Sequence, residues 1–298
     1  MRTPRLHPEW PGRECYAPSV LYVCATPIGN LGDVTLRLLE TLRAVAVIAC
    51  EDTRHTLKLL SRYGISGPRL LSLHEHNEER RLGEILELLR EGTDVALVSD
   101  AGTPTFSDPG FRLVRACRDE GLPLTALPGP SAGLTALVLS GLPTDRFLFV
   151  GFLPRDKRRL AAVVSDAASV QATLVAFESP RRVRGLLAEL CELAPDCRLA
   201  LCRELTKLHE EVLRGTPEEV LAVLPESVRG EIAVVLRAEK SAEISPVGPL
   251  DAAQFVQVLM QKGMFARDIA DTVAQVLGMS RNQAYELVLD HQRTLRRA

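Results

Sequence analysis

The chain has 298 residues, of which 46% are hydrophobic and 25% are charged, and its formal net charge is −2. These values are ordinary for a globular protein of about two domains, and they exclude an intrinsically disordered chain. A uniformly basic nucleic-acid binder is also excluded, so any charge that binds RNA has to be local. Only 4% of the residues are aromatic, which predicts a core of Leu, Val, Ile and Ala.

The seven cysteines are scattered, and their spacing matches neither a disulfide framework nor a zinc site. This pattern favours reduced thiols and a cytoplasmic protein. His74 and His76 have the spacing of metal ligands, but no further ligand is evident, and we predict no metal. Residues 1–18 contain four prolines and no apolar segment, which predicts a disordered leader rather than a secretory signal.

Between residues 19 and 143, apolar strand-like runs alternate with helical patterns. Strands are predicted at 21–25, 45–50, 95–98 and 124–127, and helices at 34–43, 78–90 and 111–118. Asp33 and Asp108 are the expected N-caps of the first and last of these helices. Such alternation is typical of an α/β fold with a mostly parallel sheet that is covered on both faces.

A hinge near 141–145 separates this region from a second α/β domain at 144–240. Strands are predicted at 147–150, 173–177, 199–202, 211–214 and 232–236, and helices at 157–164, 181–193 and 217–223. The short link at 204–210 predicts an antiparallel strand pair, and therefore a mixed sheet. After a Pro- and Gly-containing linker at 241–249, residues 250–298 are expected to form a C-terminal helical extension. Residues 266–283 are typical of either a helix-turn-helix or a small packing module.

Three loops of small residues follow the predicted strands at 21–25, 95–98 and 124–127. Because the carboxyl ends of parallel strands meet at one edge of a sheet, these loops together predict a cleft for a small molecule. Each loop alone is also consistent with an ordinary turn between a strand and a helix. The first loop is not GxGxxG, which argues against a dehydrogenase. The candidate ligand contacts are Asp100, Ala101, Gly102, Thr103, Pro104, Pro128, Gly129, Ser131 and Ala132.

Polar clusters mark three further loops. Residues 51–54 include Asp52 and Arg54 and suit acid–base chemistry, substrate binding or the capping of a helix by Asp52 or Thr53. The clusters at 178–182 and 203–207 suit either function or plain surface charge. Local basic clusters could neutralise RNA phosphates, although a solvated face is the common alternative. Their members are Arg155, Lys157, Arg158, Arg159, Arg181 and Arg182.

Eight motifs occur in a fixed order along the chain. They are TPIGNL at 26–31, EDTR at 51–54, HEHN at 74–77, SDAGTP at 99–104, DPG at 108–110, PGPS at 128–131, GFLP at 151–154 and RELTK at 203–207. Each is unspecific alone, but the ordered set resembles the bacterial small-subunit rRNA (cytidine-2′-O)-methyltransferases, which belong to the tetrapyrrole (corrin/porphyrin) methylase superfamily. The resemblance covers about residues 21–236, and the C-terminal helices more loosely.

This resemblance implies a homodimer of two-domain subunits, each with S-adenosylmethionine in the cleft between its domains. The implied substrate is the ribose of the decoding-site cytidine, nucleotide 1402, in 16S rRNA, presented within the small subunit. Besides the loops named above, the implied cofactor contacts are Pro27 and, on the adenine side, Phe177, Leu201 and Gly230. The stretch 105–107 is bulkier than in the family, and we expect Phe106 to reshape the pocket mouth.

A ribose hydroxyl is a weak nucleophile, so transfer to it needs alignment and a base or orienting group. The candidates are Asp52, Arg54, Asp100, Glu204 and Lys207; the 51–54 cluster ranks first for substrate chemistry, with Asp52 as a candidate base, and Asp100 for binding the cofactor. Two alternatives stay open. One is a methyltransferase of the same fold that acts on a tetrapyrrole, and the other is a ribosome-binding factor without catalysis.

Overall fold

A computed structural model describes residues 19–74, 76–238, 256, 259–260, 266–277 and 280–295. The predicted leader, Glu75 of the HEHN motif, the predicted linker and parts of the predicted C-terminal helices lie outside these residues. The chain divides into two compact units, Met1–Glu239 and Lys240–Ala298. Both sheets described below belong to the first unit.

The first sheet consists of five parallel strands in the order β3-β2-β4-β1-β5. The strands are β1 (Leu21–Cys24), β2 (Val47–Cys50), β3 (Arg69–Ser72), β4 (Val95–Val98) and β5 (Leu124–Leu127). Leu21 lies opposite Val95 on one side and Leu124 on the other. The carboxyl ends of β4, β1 and β5 therefore meet at one edge, as the sequence predicted.

Helices cover both faces of this sheet because the strand residues alternate between the faces. Tyr22 and Cys24 pack with the first two helices, whereas Leu21 and Val23 pack with the next two. A fifth helix does not cover this sheet and packs on the second one instead. The helices are α1 (Leu36–Ala44), α2 (Thr53–Arg62), α3 (Glu78–Arg90), α4 (Phe111–Asp119) and α5 (Ala132–Ser140).

Two predicted N-caps are wrong. Asp33 lies in a short 3-10 helix, and Thr35 caps α1 by accepting a hydrogen bond from the backbone N–H of Leu38 at 3.1 Å. The N-cap of α4 is Gly110, which adopts φ 112° and has no side chain to contribute. In both cases the chain makes an extra turn after the acidic residue, so the helix begins later than the local pattern indicates.

The second sheet has the order β6-β7-β10-β8-β9. The strands are β6 (Phe147–Phe152), β7 (Thr173–Glu178), β8 (Arg198–Arg203), β9 (Glu211–Gly215) and β10 (Ile232–Arg237). β6 and β7 are parallel, whereas β8 runs antiparallel to β9 and β10, and β10 antiparallel to β7. The predicted mixed sheet is confirmed.

The second sheet is covered by α5 on one face and by three helices on the other. These are α6 (Lys157–Ser169), α7 (Val183–Leu193) and α8 (Pro217–Val223). Since α5 follows a strand of the first sheet but packs on the second, it joins the two sheets in one compact unit. The predicted hinge lies between α5 and β6.

In the second compact unit, α9 (Ala266–Leu277) and α10 (Arg281–Leu295) match two of the three predicted C-terminal helices. Val256 joins Ile269, Val273, Ala284 and Val288 in their small apolar core. Most of the first predicted C-terminal helix lies outside the described residues. Within the part of the chain that is described, no helix is both long and apolar enough to cross a membrane.

Candidate active site

A cavity of about 320 Å³ lies at the carboxyl edge of the first sheet, where the second sheet faces it. This volume is in the range of ligand-binding pockets. The loop after β1 contributes Ile28, and the loop after β4 contributes Phe106 and Asp108. The second sheet contributes Phe152 from β6 and Cys202 from β8. Mostly small and apolar side chains therefore form the wall.

The three predicted loops are bonded to one another at this edge. Thr26 and Gly102 exchange two backbone hydrogen bonds, of 2.8 and 3.0 Å. The hydroxyl of Thr103 donates to the carbonyl of Pro130 at 3.2 Å. Gly102 adopts φ 79°, which favours glycine. The convergence of the loops follows directly from the parallel sheet.

The predicted cofactor contacts fall into two groups. The cavity wall contains Ala101, Gly102, Thr103, Ser131, Ala132, Phe177 and Gly230. Among the described residues, the wall does not contain Pro27, Asp100, Pro104, Pro128, Gly129 and Leu201. Leu201 lies in the core on the opposite face of β8, and its neighbour Cys202 faces the cavity instead. Packing explains the glycine at position 129, because a Cβ there would lie 2.9 Å from the Cβ of Ala25.

The loop after β1 also contacts the RELTK loop, which follows β8. The backbone N–H of Asn30 donates to the hydroxyl of Thr206 at 3.1 Å. A Cβ on Gly29 would lie 2.5 Å from Cγ of Lys207. Thr206 and Glu204 adopt φ 65° and 52°, a strained backbone that is common at functional sites. Two motifs far apart in sequence therefore form one side of the site.

The candidate catalytic residues Glu204 and Lys207 pair with each other beside the cavity. The ammonium of Lys207 donates to Oε1 of Glu204 and to Oε2 of Glu231, each at 2.9 Å. Oε1 of Glu204 also accepts the backbone N–H of Glu231 at 2.9 Å. The Lys207 hydrogen bond, followed by that backbone bond, lowers the pKa of Glu204. This arrangement fixes the Gly230-Glu231 turn, which is part of the cavity wall.

Asp52 and Arg54 also form a pair. Asp52 caps α2, and its Oδ1 accepts the backbone N–H of Arg54 at 2.8 Å. Its Oδ2 lies 2.6 Å from the guanidinium of Arg54, a side chain that is 83% exposed. Hydrogen bonds from Arg54 lower the pKa of Asp52. The capping alternative is confirmed, and neither side chain is among the described residues that line the cavity.

Asp100 lies at the edge of the site and connects two motifs. Its Oδ1 accepts the backbone N–H of Asp52 at 2.9 Å, and its Oδ2 lies 2.9 Å from Nδ1 of His55. No pattern in the sequence pointed to His55, which directly follows the EDTR motif. Asp100 thus orients an imidazole that is half exposed at the carboxyl edge of the first sheet.

Asp108 is a second residue whose role the sequence analysis missed. It was predicted to cap α4, but it lines the cavity. Burial raises the pKa of Asp108 to about 6, and the neighbouring carboxylates of Glu51 and Asp100 add to this shift. A hydrogen bond with Ser99 opposes it. Its place in the ordered set of motifs was the only signal available from the sequence.

Glu178 belongs to the 178–182 cluster, for which the sequence left function and plain surface charge open. Its side chain is completely buried at the end of β7 and lines the cavity. Oε1 accepts the backbone N–H of Ser179 at 2.7 Å. Oε2 lies 3.3 Å from the guanidinium of Arg182 but accepts no hydrogen bond from the described residues. A buried acceptor without a hydrogen bond is costly unless a ligand satisfies it.

The predicted RNA-binding residues fall at two neighbouring places. Arg155, Arg181 and Arg182 line a second cavity, which shares Pro180 with the first. Lys157, Arg158 and Arg159 are exposed in the first turn of α6, where Lys157 pairs with Glu192. The structure therefore brings three of the six arginines and lysines together beside the candidate active site.

His74 and His76 show no metal-binding geometry. Nε2 of His74 lies 3.1 Å from the side-chain amide nitrogen of Asn77. Within the described residues, no group of three or more His, Cys, Asp or Glu side chains could hold a metal ion.

Comparison with known proteins assigns the chain to a family. Residues 20–221 match the tetrapyrrole (corrin/porphyrin) methylases. The chain belongs to this family. The crystal structure of the uroporphyrin-III-C-methyltransferase from Thermus thermophilus superimposes on this fold with a TM-score of 0.52 at 24% sequence identity. The superposition covers 73% of this chain and 94% of that chain. That likeness bears out the predicted two-domain fold.

Two curated relatives in the family are much more similar in sequence. The ribosomal RNA small subunit methyltransferase I of Micromonospora olivasterospora is 47% identical over 270 residues, which is 90% of this chain and 86% of that protein. The protein of the same name from Escherichia coli O157:H7 is 40% identical over 276 residues, or 91% of this chain and 95% of that protein. Each of these alignments covers about nine tenths of this chain.

Proposed function

We propose that the protein transfers a methyl group from S-adenosylmethionine to the ribose 2′-hydroxyl of the decoding-site cytidine, nucleotide 1402, in 16S rRNA. The observation that carries this proposal is the cavity built by three converging loops in a chain whose relatives are named small subunit rRNA methyltransferases. The ordered motifs support the cytidine and its 2′-oxygen as the target. The cytoplasm, where small subunits assemble, is the proposed location.

The residues at the cavity fit S-adenosylmethionine. Phe177 packs edge-to-face against Phe149 and Phe152, with ring centroids 5.2 and 6.1 Å apart, and gives the wall an aromatic side for an adenine. The buried Oε2 of Glu178 provides a free acceptor for an amino or hydroxyl group. When bound, the cofactor supplies a methyl group activated by a sulfonium. The proposed contacts are the seven predicted residues in the wall, while Pro27, Asp100, Pro104, Pro128 and Gly129 shape the loops that carry them.

The basic residues beside the cavity support an RNA substrate. Arg155 and Arg181 are exposed and form no ion pair within the described part of the chain. We expect them to bind backbone phosphates, together with Lys157, Arg158, Arg159 and Arg182. Each lost phosphate contact should reduce the slope of log affinity against log salt by about 1. A double replacement of Arg155 and Arg181 by Gln therefore tests this surface without entering the cavity.

Exposed apolar side chains support the proposed homodimer. Leu134 and Val138 are 52% and 73% exposed and lie on one face of α5, since they are four residues apart. β6 is an edge strand of its sheet and also exposes Phe147 and Leu148. Val138→Glu should give monomers by light scattering after gel filtration. Val170→Glu, at a 50% exposed position after α6, serves as the control and should leave the dimer intact.

The enzymatic test uses purified small subunits that lack the modification and S-adenosylmethionine with a labelled methyl group. We expect label in the rRNA and none in a tetrapyrrole acceptor offered in parallel. Label in the tetrapyrrole alone would favour the alternative substrate. Calorimetric binding of the cofactor without transfer to either acceptor would contradict the proposal, and absence of binding would favour a non-catalytic ribosome-binding factor.

A further inference from the structure

Asp108 has no structural task in the fold that accounts for its position. It does not cap α4, because Gly110 takes that place. Among the described residues no cation pairs with it, and the Ser99 hydroxyl is its one hydrogen-bonding neighbour. A partly buried carboxyl group without a cation is unfavourable for stability, since burial disfavours its charged form. Retention of such a group in a ligand cavity indicates a role in chemistry or binding.

The charged residues around Asp108 are carboxylates, and three of them have partners of their own: His55 for Asp100, Arg182 for Glu178 and Lys207 for Glu231. Glu51 from the end of β2 and Asp100 from the loop after β4 act on it through space. Glu178 from β7 and Glu231 before β10 belong to the wall of the same cavity. A carboxyl group among carboxylates binds a proton more readily than an isolated one, because protonation relieves repulsion. Asp108 is therefore poised to take up a proton near neutral pH.

The loop that carries Asp108 is held in a strained conformation. Thr105 and Ser107 adopt φ 75° and 65°, each at a cost of about 1–3 kcal/mol for a residue other than glycine. A Cβ on Gly151, in β6, would lie 3.0 Å from the hydroxyl of Ser107. The loop therefore fits closely against the second sheet. This places Asp108 between the cavity and the carboxyl edge where Asp100 and Glu51 lie.

The other candidate bases are less suited to accept a proton. The carboxylate of Asp52 is bound to the guanidinium of Arg54, and that of Glu204 to the ammonium of Lys207. A paired carboxylate is a weaker base than an unpaired one. His55 is half exposed and belongs to the Asp100 edge, not to the described cavity wall.

We propose that Asp108 is the proton acceptor for the hydroxyl group that is methylated. The inference rests on the proposed function, since it concerns the same transfer. The hydroxyl proton passes to a carboxylate oxygen of Asp108 as the hydroxyl oxygen bonds to the methyl carbon. The bond from that carbon to sulfur breaks, and its electron pair stays on the sulfur of a neutral thioether. The carboxylic acid then releases its proton to solvent.

The test compares Asp108→Asn with the wild type in single-turnover transfer to small subunits, between pH 5 and 9, with cofactor saturating. General-base catalysis contributes about 10²–10⁴-fold, so we expect the variant to be at least about 100-fold slower at pH 7.5. As the pH is lowered, the wild-type rate should decrease with a midpoint near pH 6, and the rate of the variant should not show this decrease. Asp196→Asn, at an exposed turn before β8, is the matched control and should behave as the wild type.

Calorimetry of cofactor binding separates this role from a binding role. We expect the Kd of Asp108→Asn to stay within about twofold of the wild-type value. A tenfold weaker Kd with an unchanged single-turnover rate would overturn the inference and assign Asp108 to holding the cationic cofactor. A rate within about threefold of the wild type at all pH values would also overturn it. The inference would also be overturned if the decrease in rate below pH 6 disappeared in Asp52→Asn or His55→Gln but persisted in Asp108→Asn.

A third measurement does not depend on the substrate. The carboxyl carbon of Asp108, assigned by comparison of carbon-13 spectra of the wild type and the Asn variant, should titrate with a midpoint near 6. A midpoint near the ordinary value of about 4 would overturn the inference. If the wild type transferred no methyl group to small subunits, the proposed function would fail, and this titration would still test Asp108 alone.

Discussion

Replacing Asp108 with asparagine should change the stability of the fold in a way that depends on pH. The pKa of Asp108 is raised from 3.8 to about 6, first by burial. Its proton is therefore bound more tightly in the folded state than in the unfolded chain. Below about pH 4 the group is neutral in both states and costs nothing, whereas above about pH 6 it is ionised in both, and the folded state bears the whole penalty.

The size of this penalty follows from the shift. A difference of about 2 pH units corresponds to about 3 kcal/mol at about 1.4 kcal/mol per unit. Because the carboxyl group is partly exposed and screened by solvent, we expect about half of that, or about 1–2 kcal/mol. Asparagine is neutral throughout, so the variant should gain this amount relative to the wild type between pH 4 and pH 7.

Urea unfolding at pH 4 and pH 7 gives the free energy of unfolding of the variant minus that of the wild type at each pH. The change in this value between the two pH values measures the predicted gain. Contributions of the other titrating groups cancel, since both proteins share them. The hydrogen bond with Ser99 favours the ionised form of Asp108, and its effect is already part of the net shift. A relative stability that does not change with pH, or one that falls as pH rises, would refute the burial of Asp108 in the cavity.

Further predictions concern packing, capping and thiol chemistry. Gly230→Ala should lower the free energy of unfolding in urea by about 1–3 kcal/mol, because φ is +91° and the new Cβ would meet the carboxyl group of Glu204 at 2.5–2.6 Å. The control Gly185→Ala places a Cβ in open space on a helix, so it should leave stability unchanged or raise it by up to about 1 kcal/mol. Equal losses of stability in the two variants would contradict this prediction. Thr216→Ala should cost about 0.5–2 kcal/mol in the same assay, because it removes the capping box of α8, and no loss would show that the box is dispensable. At pH 8, Cys191 should alkylate faster than the five buried described cysteines, as followed by peptide mass spectrometry; faster labelling of any buried one would contradict the described packing.

Much of the fold could be predicted from periodicity alone. The helices α3 and α8 have the predicted bounds, because each has a regular apolar face and strong terminal signals. The buried strands of the first sheet were recognisable as short runs without charge. What the local pattern could not predict is which sheet a helix covers. α5 follows β5 of the first sheet but packs on the second, since it is apolar on all sides and its partners lie far along the chain.

The candidate site was predictable as a set of loops but not in its side-chain contacts. Parallel strands bring the loops to one edge, so Gly102 and Ser131 could be expected in the cavity wall. The step from Leu201 to Cys202 is one residue in sequence but a change of face in a strand, and only the sheet register decides it. Likewise, Asp108 has the sequence context of a helix cap, whereas tertiary packing places it in a ligand cavity.

The same limit applies to the paired charges. The sequence offered Asp52 and Lys207 as free catalytic groups, yet each has a partner a few residues away that changes its chemistry. Such pairing depends on turn geometry, including positive φ angles at residues other than glycine, and propensities do not indicate it. The catalytic roles of both residues remain predictions, and the pH profile of Asp52→Asn tests that of Asp52.

The central claim is methylation of a cytidine ribose in small-subunit rRNA, and the most direct test identifies the modified nucleoside. After reaction of unmodified small subunits with labelled S-adenosylmethionine, the rRNA is digested and its nucleosides are separated by mass spectrometry. We predict that the labelled product is 2′-O-methylcytidine and that it maps to the decoding site. Label on a base carbon or nitrogen, on another ribose, or on no nucleoside would contradict the account.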